Sequence, residues 1–404
     1  MTAVSTVSEI SDDFRGDGRI RIAHLQLLPL ITGVQTVTME EFKRLDRKRF
    51  NPYLICQQPG PLSEAGEREG IQCLFVPELR RSISPRQDWL ALWRLRALFR
   101  EHEFDIVHTH SSKTGVLGRI AAYLAGVPAV VHTVHGYAFP AARNGLEKAL
   151  FVIMEWIGAR CCGAMIVLKE HDRQIGRRYL HVPSQRLHLL ANGVDTDLYR
   201  PAGQAQRRRI RRARLGIDDE TTAIGMVGRL WQQKNPACFV DAAAEVLEKR
   251  RDVRFFLLGD GELRETLEQR IRRYGIASHV RILGWANDIP DLLPGLDVFV
   301  LPSRWEGLSL ALLEALSSGV AAVVSDIPGN RDIITHEVNG LLFDDGDSGD
   351  LAEKLLRLVQ ESRLRERLAL RGRVDVVAHY RLEDRMARVT ELYQRLLSGK
   401  AVPI

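Results

Sequence analysis

Short apolar and β-branched runs alternate with longer amphipathic segments along most of the chain. RIRIAHLQL, NPYLICQ, IQCLFVP, FDIVHTH, PAVVHTVHG, AMIVL and LHLLANGV have the length and composition of buried strands. Between them, TVTMEEFKRL, QDWLALWRLRALFREH and GVLGRIAAYLAG repeat their apolar positions at the helical period. Such alternation predicts a parallel sheet with helices on both faces, because parallel strands need a crossover to join them. After Asn192 the texture changes: DTDLYRPAGQAQRRRIRRARLGIDDE brings Pro, Gly and an Arg cluster from Arg207 to Arg214, as an interdomain connection would. A second series then runs from TAIGMVGRL through DVRFFLLGDG, HVRILGW, LDVFVLP and AAVVSD to NGLLF, with helical segments between. The expected fold class is α/β, two doubly wound domains facing a central cleft. Ligands are expected outside the carboxyl ends of the strands.

The expected division is a disordered polar extension over residues 1–18, a first domain over 19–198 and a second over 199–379. A final helical segment, 380–404, has no following strand and is expected to rejoin the first domain.

Length and composition narrow the picture. At 404 residues the chain suits two or three domains, and 45% hydrophobic with 27% charged residues excludes wholesale disorder. The net charge is +6, and residues 1–200 hold 26 Lys and Arg against 21 Asp and Glu, so the first half is expected to face something anionic. The Arg207–Arg214 run reads as a solvated helix face, since no nucleic-acid module accompanies it. Five cysteines without C-x-x-C spacing, and an N-terminus lacking an apolar core, point to a reducing, cytoplasmic setting. The longest apolar stretch, ALFVIMEWIGA, contains Glu155 and falls short of the ~20 residues that span a bilayer. Membrane contact is therefore expected to be peripheral.

The densest chemistry lies in LPSRWEGLSLALLEALSSGVAAVVSD. Glu306 follows a strand, Gly307 comes next, Ser309 is placed to cap a helix, and Glu314 lies one to two turns into it. Backbone N–H groups near Gly307, Leu308 and Ser309 suit phosphate or sugar oxygens, and each carboxylate can grip a pair of hydroxyls. GMVGRLWQQKNP places Arg229 and Lys234 behind Gly228, two cations that could neutralise a diphosphate. A turn glutamate, an exposed helix charge or surface cations would leave the same trace. Gly259 and Gly261 in GDGELRE read as a tight turn before a helix, and Gly33 as a point of close backbone approach. His108, His110, His132 and His135 cluster at two strand ends, where a metal site is one reading and substrate contact by His135 another.

Together these residues resemble the family 4 glycosyltransferases of the GT-B type. The specific part is the E-x7-E signature from Glu306 to Glu314; GRLWQQKN, GDGELRETLE, ANGVDTDLYRP and the closing NGLLFDD stand in the family's order and spacing, from about Arg19 to the C-terminus. The resemblance implies two Rossmann-like domains, acceptor-side first and nucleotide-sugar-binding second. It also implies retaining transfer from a nucleoside-diphosphate sugar with no essential metal and no other cofactor. Glu306 would hold the donor sugar's hydroxyls, Glu314 the ribose, Arg229 with Lys234 the diphosphate, and Gly33 the phosphates from the opposite domain. Gly228 and the segment Gly307–Ser309 would complete the donor site. His135 would sit at the reaction face, and Arg281–Trp285 would border the base; His110 reads as a supporting or core residue.

HTHSSKTGVLGRIAAYLAGVPAVVHTVHGYAF is most similar to the capsule and exopolysaccharide subgroup. That implies a polyprenyl-diphosphate-linked saccharide acceptor and a peripheral place on an anionic membrane surface, at the inner face of the cell membrane. A UDP-linked hexose or N-acetylhexosamine is the expected donor, with GDP-mannose the alternative. Arg80, Arg81, Arg86, Arg94 and Arg96 are candidate docking residues, while Trp89 and Trp93 among them are expected to pack their helix on its own sheet. The chain departs from the family at Thr32-Gly33-Val34, where many relatives carry adjacent glycines, and at SDIPGNRDII, where a pair of glycines is more usual. These bear on phosphate contact and sugar choice. A sugar phosphorylase would need a longer chain and a pyridoxal cofactor. A non-catalytic scaffold is disfavoured by the retention of Arg229, Lys234, Glu306 and Glu314, and nucleic acid is not an expected partner.

Overall fold

The computed structural model describes residues 18–399, apart from 32, 81, 138, 140–143 and 287. The expectations for the extension before Gly18, for Thr32 and Arg81, and for the last five residues lie outside the described residues.

Seven strands form the first sheet: β1 (Ile20–Leu25), β2 (Phe50–Cys56), β3 (Gln72–Phe75), β4 (Ile106–His110), β5 (Ala129–Val134), β6 (Ala164–Val167) and β7 (Leu187–Leu189). Six form the second: β8 (Thr222–Val227), β9 (Val253–Leu258), β10 (Val280–Gly284), β11 (Val298–Leu301), β12 (Ala321–Ser325) and β13 (Leu341–Phe343). The orders are β3-β2-β1-β4-β5-β6-β7 and β10-β9-β8-β11-β12-β13, and these pairings are parallel. Near-continuous apolar strands such as VFVL and AAVVS are what a sheet buried on both faces requires.

The first sheet is joined by α1 (Gly33–Arg44), α2 (Pro61–Arg68), α3 (Pro85–Glu101), α4 (Ser112–Ala125), α5 (Gly145–Arg160) and α6 (Glu170–Arg178). The second carries α7 (Gln204–Ile210), α8 (Pro236–Lys249), α9 (Arg264–Arg273), α10 (Ile289–Leu292), α11 (Leu310–Ser317), α12 (Pro328–Arg331), α13 (Ser348–Gln360) and α14 (Ser362–His379). In each sheet the order reverses beside the first-formed strand, β1 next to β4 and β8 next to β11. Loops leaving such neighbours diverge and leave a crevice.

The last helix, α15 (Leu382–Leu397), returns to the first sheet. Its Leu382, Met386, Val389, Leu392 and Tyr393 share one core with Ile22, Ile106, Val131 and Ile166. The chain crosses between the domains at two adjacent points: Val194 N–H donates to Tyr380 O at 2.8 Å, and Leu382 N–H donates to Val194 O at 3.1 Å. Arg385 then reaches Glu41 of α1 at 2.8 Å and donates to the carbonyls of Leu190 and Ala191.

Two expectations need correction. Trp89 and Trp93 do not pack α3 onto its sheet; they are 61% and 41% exposed, and Ala91, Leu95, Leu98 and Phe99 supply the buried face instead. Nor is the Arg207–Arg214 run simply a solvated face. Arg211 is buried on Asp297 at 2.9 Å and Arg207 meets the same carboxylate at 2.6 Å, anchoring this segment to the second domain.

Helix α5 is turned inside out. Its buried residues are Glu155, Gly158 and Ala159, while Leu146, Leu150, Ile153, Trp156 and Ile157 face outward. The cause is a buried ion pair: Arg119 of α4, fully enclosed, holds Glu155 at 2.7 Å, and Gly158 leaves the room its guanidinium needs. Removing one partner of such a pair strands the other charge. Arg119→Leu is therefore expected to lower stability by ~3–5 kcal/mol in denaturant unfolding, with most of the loss recovered when Glu155 also becomes Leu.

Candidate active site

The candidate residues gather where the carboxyl ends of both sheets face one another. Glu306 lies in the loop after β11, and Lys234 comes from the loop after β8. The structure pairs them: Lys234 Nζ lies 2.6 Å from Glu306 Oε1, with both side chains largely enclosed. The separate duties expected of them begin from an ion pair that leaves two of the ammonium's three donors free of Glu306. Arg229 is more loosely held. Its guanidinium meets Glu262 at 2.7 Å in an exposed pair and lies over the Trp231 ring at 5.0 Å.

Ser309 caps α11, its hydroxyl accepting from Leu312 N–H at 3.4 Å. One turn on, Glu314 faces Tyr199, whose hydroxyl hydrogen bond favours the carboxylate, but burial wins and pushes Glu314 up to about 7. Glu40 of the first domain adds to that rise, and Lys234 opposes it. Gln233 knits the loops together: its side-chain amide donates to Trp305 O at 2.8 Å, and its backbone carbonyl accepts from Arg304 N–H at 2.9 Å. Gly228 and Gly259, at φ 149° and 153°, let the β8 and β9 turns touch, since a Cβ on Gly259 would lie 1.9 Å from Gly228 O. Gly33 opens α1 with open space where a side chain would be. Arg281 donates to Leu215 O at 2.6 Å, and Trp285 is exposed.

From the first domain, His135 follows β5, Lys169 follows β6 and Asn192 follows β7. Each meets backbone of the Glu306 loop. Lys169 Nζ donates to Glu306 O at 2.9 Å, Asn192 Nδ2 to Leu308 O at 3.2 Å, and a Cβ on Gly307 would lie 2.7 Å from His135 O. Gly307 is thus required by a close approach across the cleft.

The histidines separate. His132 bonds Thr109 at 2.9 Å and lies against Gly115, apart from the others. His110 and His135 are joined, His110 Nδ1 lying 3.1 Å from His135 Nε2, and His24 extends the row with its Nδ1 3.1 Å from His110 Nε2. Burial pushes His24 and His135 down to about 3, so both are neutral at physiological pH. His24, Glu41, His108 and His110 bring ligand atoms within 4.8 Å of one another, a possible metal cage. Several of its donors are already engaged, however. His108 bonds Tyr393 at 2.6 Å and Thr133 at 2.7 Å, and Glu41 carries the Arg385 guanidinium, whose positive charge opposes a bound cation.

Residues 31–198 match the family model Glycosyltransferase Family 4, and residues 207–375 match Glycosyl transferases group 1. A UDP-Gal:alpha-D-GlcNAc-diphosphoundecaprenol alpha-1,3-galactosyltransferase of Escherichia coli is 38% identical over 95% of this chain and 98% of its own length. The chain belongs to the family 4 glycosyltransferases. The lipopolysaccharide core biosynthesis glycosyltransferase LpsE of Rhizobium meliloti is 31% identical over 47% of this chain and 53% of its own. Among solved structures, Anabaena Alr3699/HepE in complex with UDP and glucose superposes with a TM-score of 0.80 at 20% identity, covering 93% of this chain and all of that one. The GT-B fold and glycosyltransferase activity follow.

For this glycosyltransferase, sequence reasoning missed Lys169, Asn192, Gln233, Tyr199, His24 and Glu41. ANGVDTDLYRP contains Asn192 and Tyr199, but nothing in its spacing shows that the first meets the Glu306 loop and the second faces α11. Gly307→Ala places a methyl against the His135 carbonyl and wedges the cleft. Since misplacement near 1 Å can cost ~100-fold, turnover is expected to fall at least tenfold while the melting temperature stays nearly constant. Steady-state kinetics beside thermal unfolding checks both.

Proposed function

We propose that this chain is a retaining hexosyltransferase that takes a hexose, galactose foremost, from a UDP-sugar and adds it to a saccharide carried on polyprenyl diphosphate during surface-polysaccharide synthesis. The end-to-end likeness to the Escherichia coli galactosyltransferase, whose name specifies that donor and that lipid-linked acceptor, carries the reading. The cleft supports it chemically.

The bond between the anomeric carbon and the β-phosphate oxygen breaks, and negative charge builds on the departing diphosphate. Arg229 and Lys234 are placed to take up that charge. An exposed ion pair such as Arg229–Glu262 contributes ~1 kcal/mol at most, so the guanidinium is released at little cost. Glu306 holds sugar hydroxyls, Glu314 holds the ribose, and the N–H groups of Gly33 and of Gly307 to Ser309 line the phosphates and sugar. Neutral His135 adds no positive charge beside the cation-like carbon. The acceptor hydroxyl attacks the face the diphosphate leaves and passes its proton to a phosphate oxygen, which retains configuration. Cationic side chains stand where a metal would otherwise be needed, so the reaction is proposed to be metal-independent.

The acceptor's lipid carrier calls for a membrane, and the first domain offers a face for it. No helix among the described residues is long and apolar enough to cross a bilayer. Helix α4 lies between α3 and α5, and along this layer Trp89, Trp93, Tyr123, Leu146 and Ile153 are all exposed. Exposed Arg80 precedes α3, exposed Arg86 and Arg94 lie on it, and Arg160 lies 3.4 Å over the Trp156 ring. Exposed apolar side chains among cations suit the interface of an anionic bilayer at the cytoplasmic side.

UDP is expected to raise the melting temperature more than GDP, ADP or dTDP, and Arg229→Ala to abolish the shift; an equal response to GDP would overturn the donor assignment. Because Glu314 accepts from the ribose as a carboxylate and titrates near 7, UDP should bind about tenfold more tightly at pH 8 than at pH 6, and Glu314→Gln should flatten that dependence in calorimetric titrations. Vesicles of phosphatidylglycerol should carry the protein in flotation more than phosphatidylcholine vesicles do. Leu150→Glu with Ile153→Glu should release it, and undiminished flotation of that variant would move the docking face elsewhere.

A further inference from the structure

The proposed reaction uses His135 but not the row of groups behind it. At the inner end stands Glu41. One carboxylate oxygen is held by Arg385; the other is buried without a hydrogen-bond partner, 4.0 Å from His24 Nδ1. His24 leads to His110 and His110 to His135, each step 3.1 Å between ring nitrogens. His108 stacks on His110 at 4.4 Å between centroids but stays outside the row, since Tyr393 and Thr133 occupy both its nitrogens.

Three neutral imidazoles in series can be polarised in two ways, because each must donate from one nitrogen and accept at the other. Outward polarity puts protons on Nδ1 of His24 and of His110, so that His135 accepts at Nε2 and carries its own proton on Nδ1. Inward polarity has His135 donate from Nε2 and leaves the His24 proton on Nε2, which has no hydrogen-bond partner among the described residues. Inward polarity therefore leaves that donor without a protein acceptor and turns the His24 lone pair towards the Glu41 oxygen. Outward polarity turns the His24 Nδ1–H into the field of that oxygen. Both differences favour the outward arrangement.

We propose that Glu41, His24 and His110 are positioning residues that hold His135 as its Nδ1–H tautomer, so that an uncharged ring offers the nucleotide sugar a hydrogen-bond donor at the cleft. His135 is partly exposed, and its Nδ1 has no hydrogen-bond partner among the described residues. A donor at this point selects a sugar hydroxyl that accepts, leaving the hydroxyl's own proton for a carboxylate such as Glu306. Arg385 completes the device from the far end. By holding one oxygen of Glu41, it fixes the carboxyl group whose other oxygen polarises the row. The nature of the ligand rests on the function proposed above; the tautomer does not.

Two-bond proton–nitrogen spectra of the full-length protein labelled with 15N-histidine read the tautomer without substrate, so failure here and failure of the donor assignment are distinguishable. The wild type should show His135 protonated at Nδ1, and protonation at Nε2 would overturn the proposal whether or not any variant folds. His24→Leu and His24→Asn are nearly equal in size, but only Asn can donate from the Nδ1 position. His24→Leu should leave His135 as a mixture of tautomers and lower kcat ~10–100-fold, with KM for the UDP-sugar within about threefold of wild type. His24→Asn should restore both the tautomer and kcat. An unchanged His135 tautomer in His24→Leu, equal kcat for the Leu and Asn variants, or a stoichiometric metal that copurifies with the wild type and is lost from His24→Asn would each overturn it.

Discussion

Arg385 closes on Glu41 after the chain has built two domains and crossed back, and the geometry of the cleft depends on that closure. The ion pair is buried at both ends, and Arg385 also takes the carbonyls of Leu190 and Ala191 at the exit of the first domain. A buried guanidinium requires all of these acceptors at once, so it accepts one arrangement of α15, α1 and the crossing strand. The β-bridge between Val194 and Arg381 lies beside it and places the two crossings side by side. Gly193 is part of the same constraint, because a Cβ there would lie 2.5 Å from Leu382 Cα. The two crossings therefore form one narrow seam, with the carboxyl ends of the sheets facing each other beyond it.

Across the cleft, the first domain meets backbone. Lys169 and Asn192 donate to the carbonyls of Glu306 and Leu308, and His135 O lies against Gly307. Main-chain contacts leave the side chains of Glu306 and Lys234 to each other. Such an arrangement positions the loop without using up the side chains proposed to perform the chemistry. It also explains why a glycine follows the signature glutamate: the requirement is space for another domain's carbonyl, and Gly307 has no positive φ to account for.

The alternation of strands and helices was legible because strands such as β6, β11 and β12 are buried on both faces and read as continuous apolar runs. The site was legible only as far as it is local. Arg229 with Lys234, and Glu306 with Glu314, lie within single loops or a loop and its helix, where spacing determines proximity. The Lys234–Glu306 pair, the placing of Tyr199 beside Glu314 and the meeting of His24 with His110 depend on which strands are neighbours. That information resides in sheet order, β1 beside β4 and β8 beside β11. His108 and His110 could be grouped from their two-residue spacing, but His132 sits on the other side of its strand, and the glutamate near them comes from a helix more than sixty residues earlier.

The exposed tryptophans and α5 illustrate a different limit. An amphipathic period states that a helix has two unlike faces, and burial of the apolar one is an assumption about the solvent. In α5 the assumption fails for a definite reason. Arg119 is enclosed by the α4–α5 contact, it requires Glu155 inside, and the turn that supplies Glu155 and Gly158 inward must present Ile153, Trp156 and Ile157 outward. An ion pair in the interior thus sets the polarity of the surface. The same logic operates at the cleft, where the charge on Arg385 bears on the far end of a histidine row. In both places a buried cation, rather than the pattern of apolar residues around it, fixes the arrangement of the first domain.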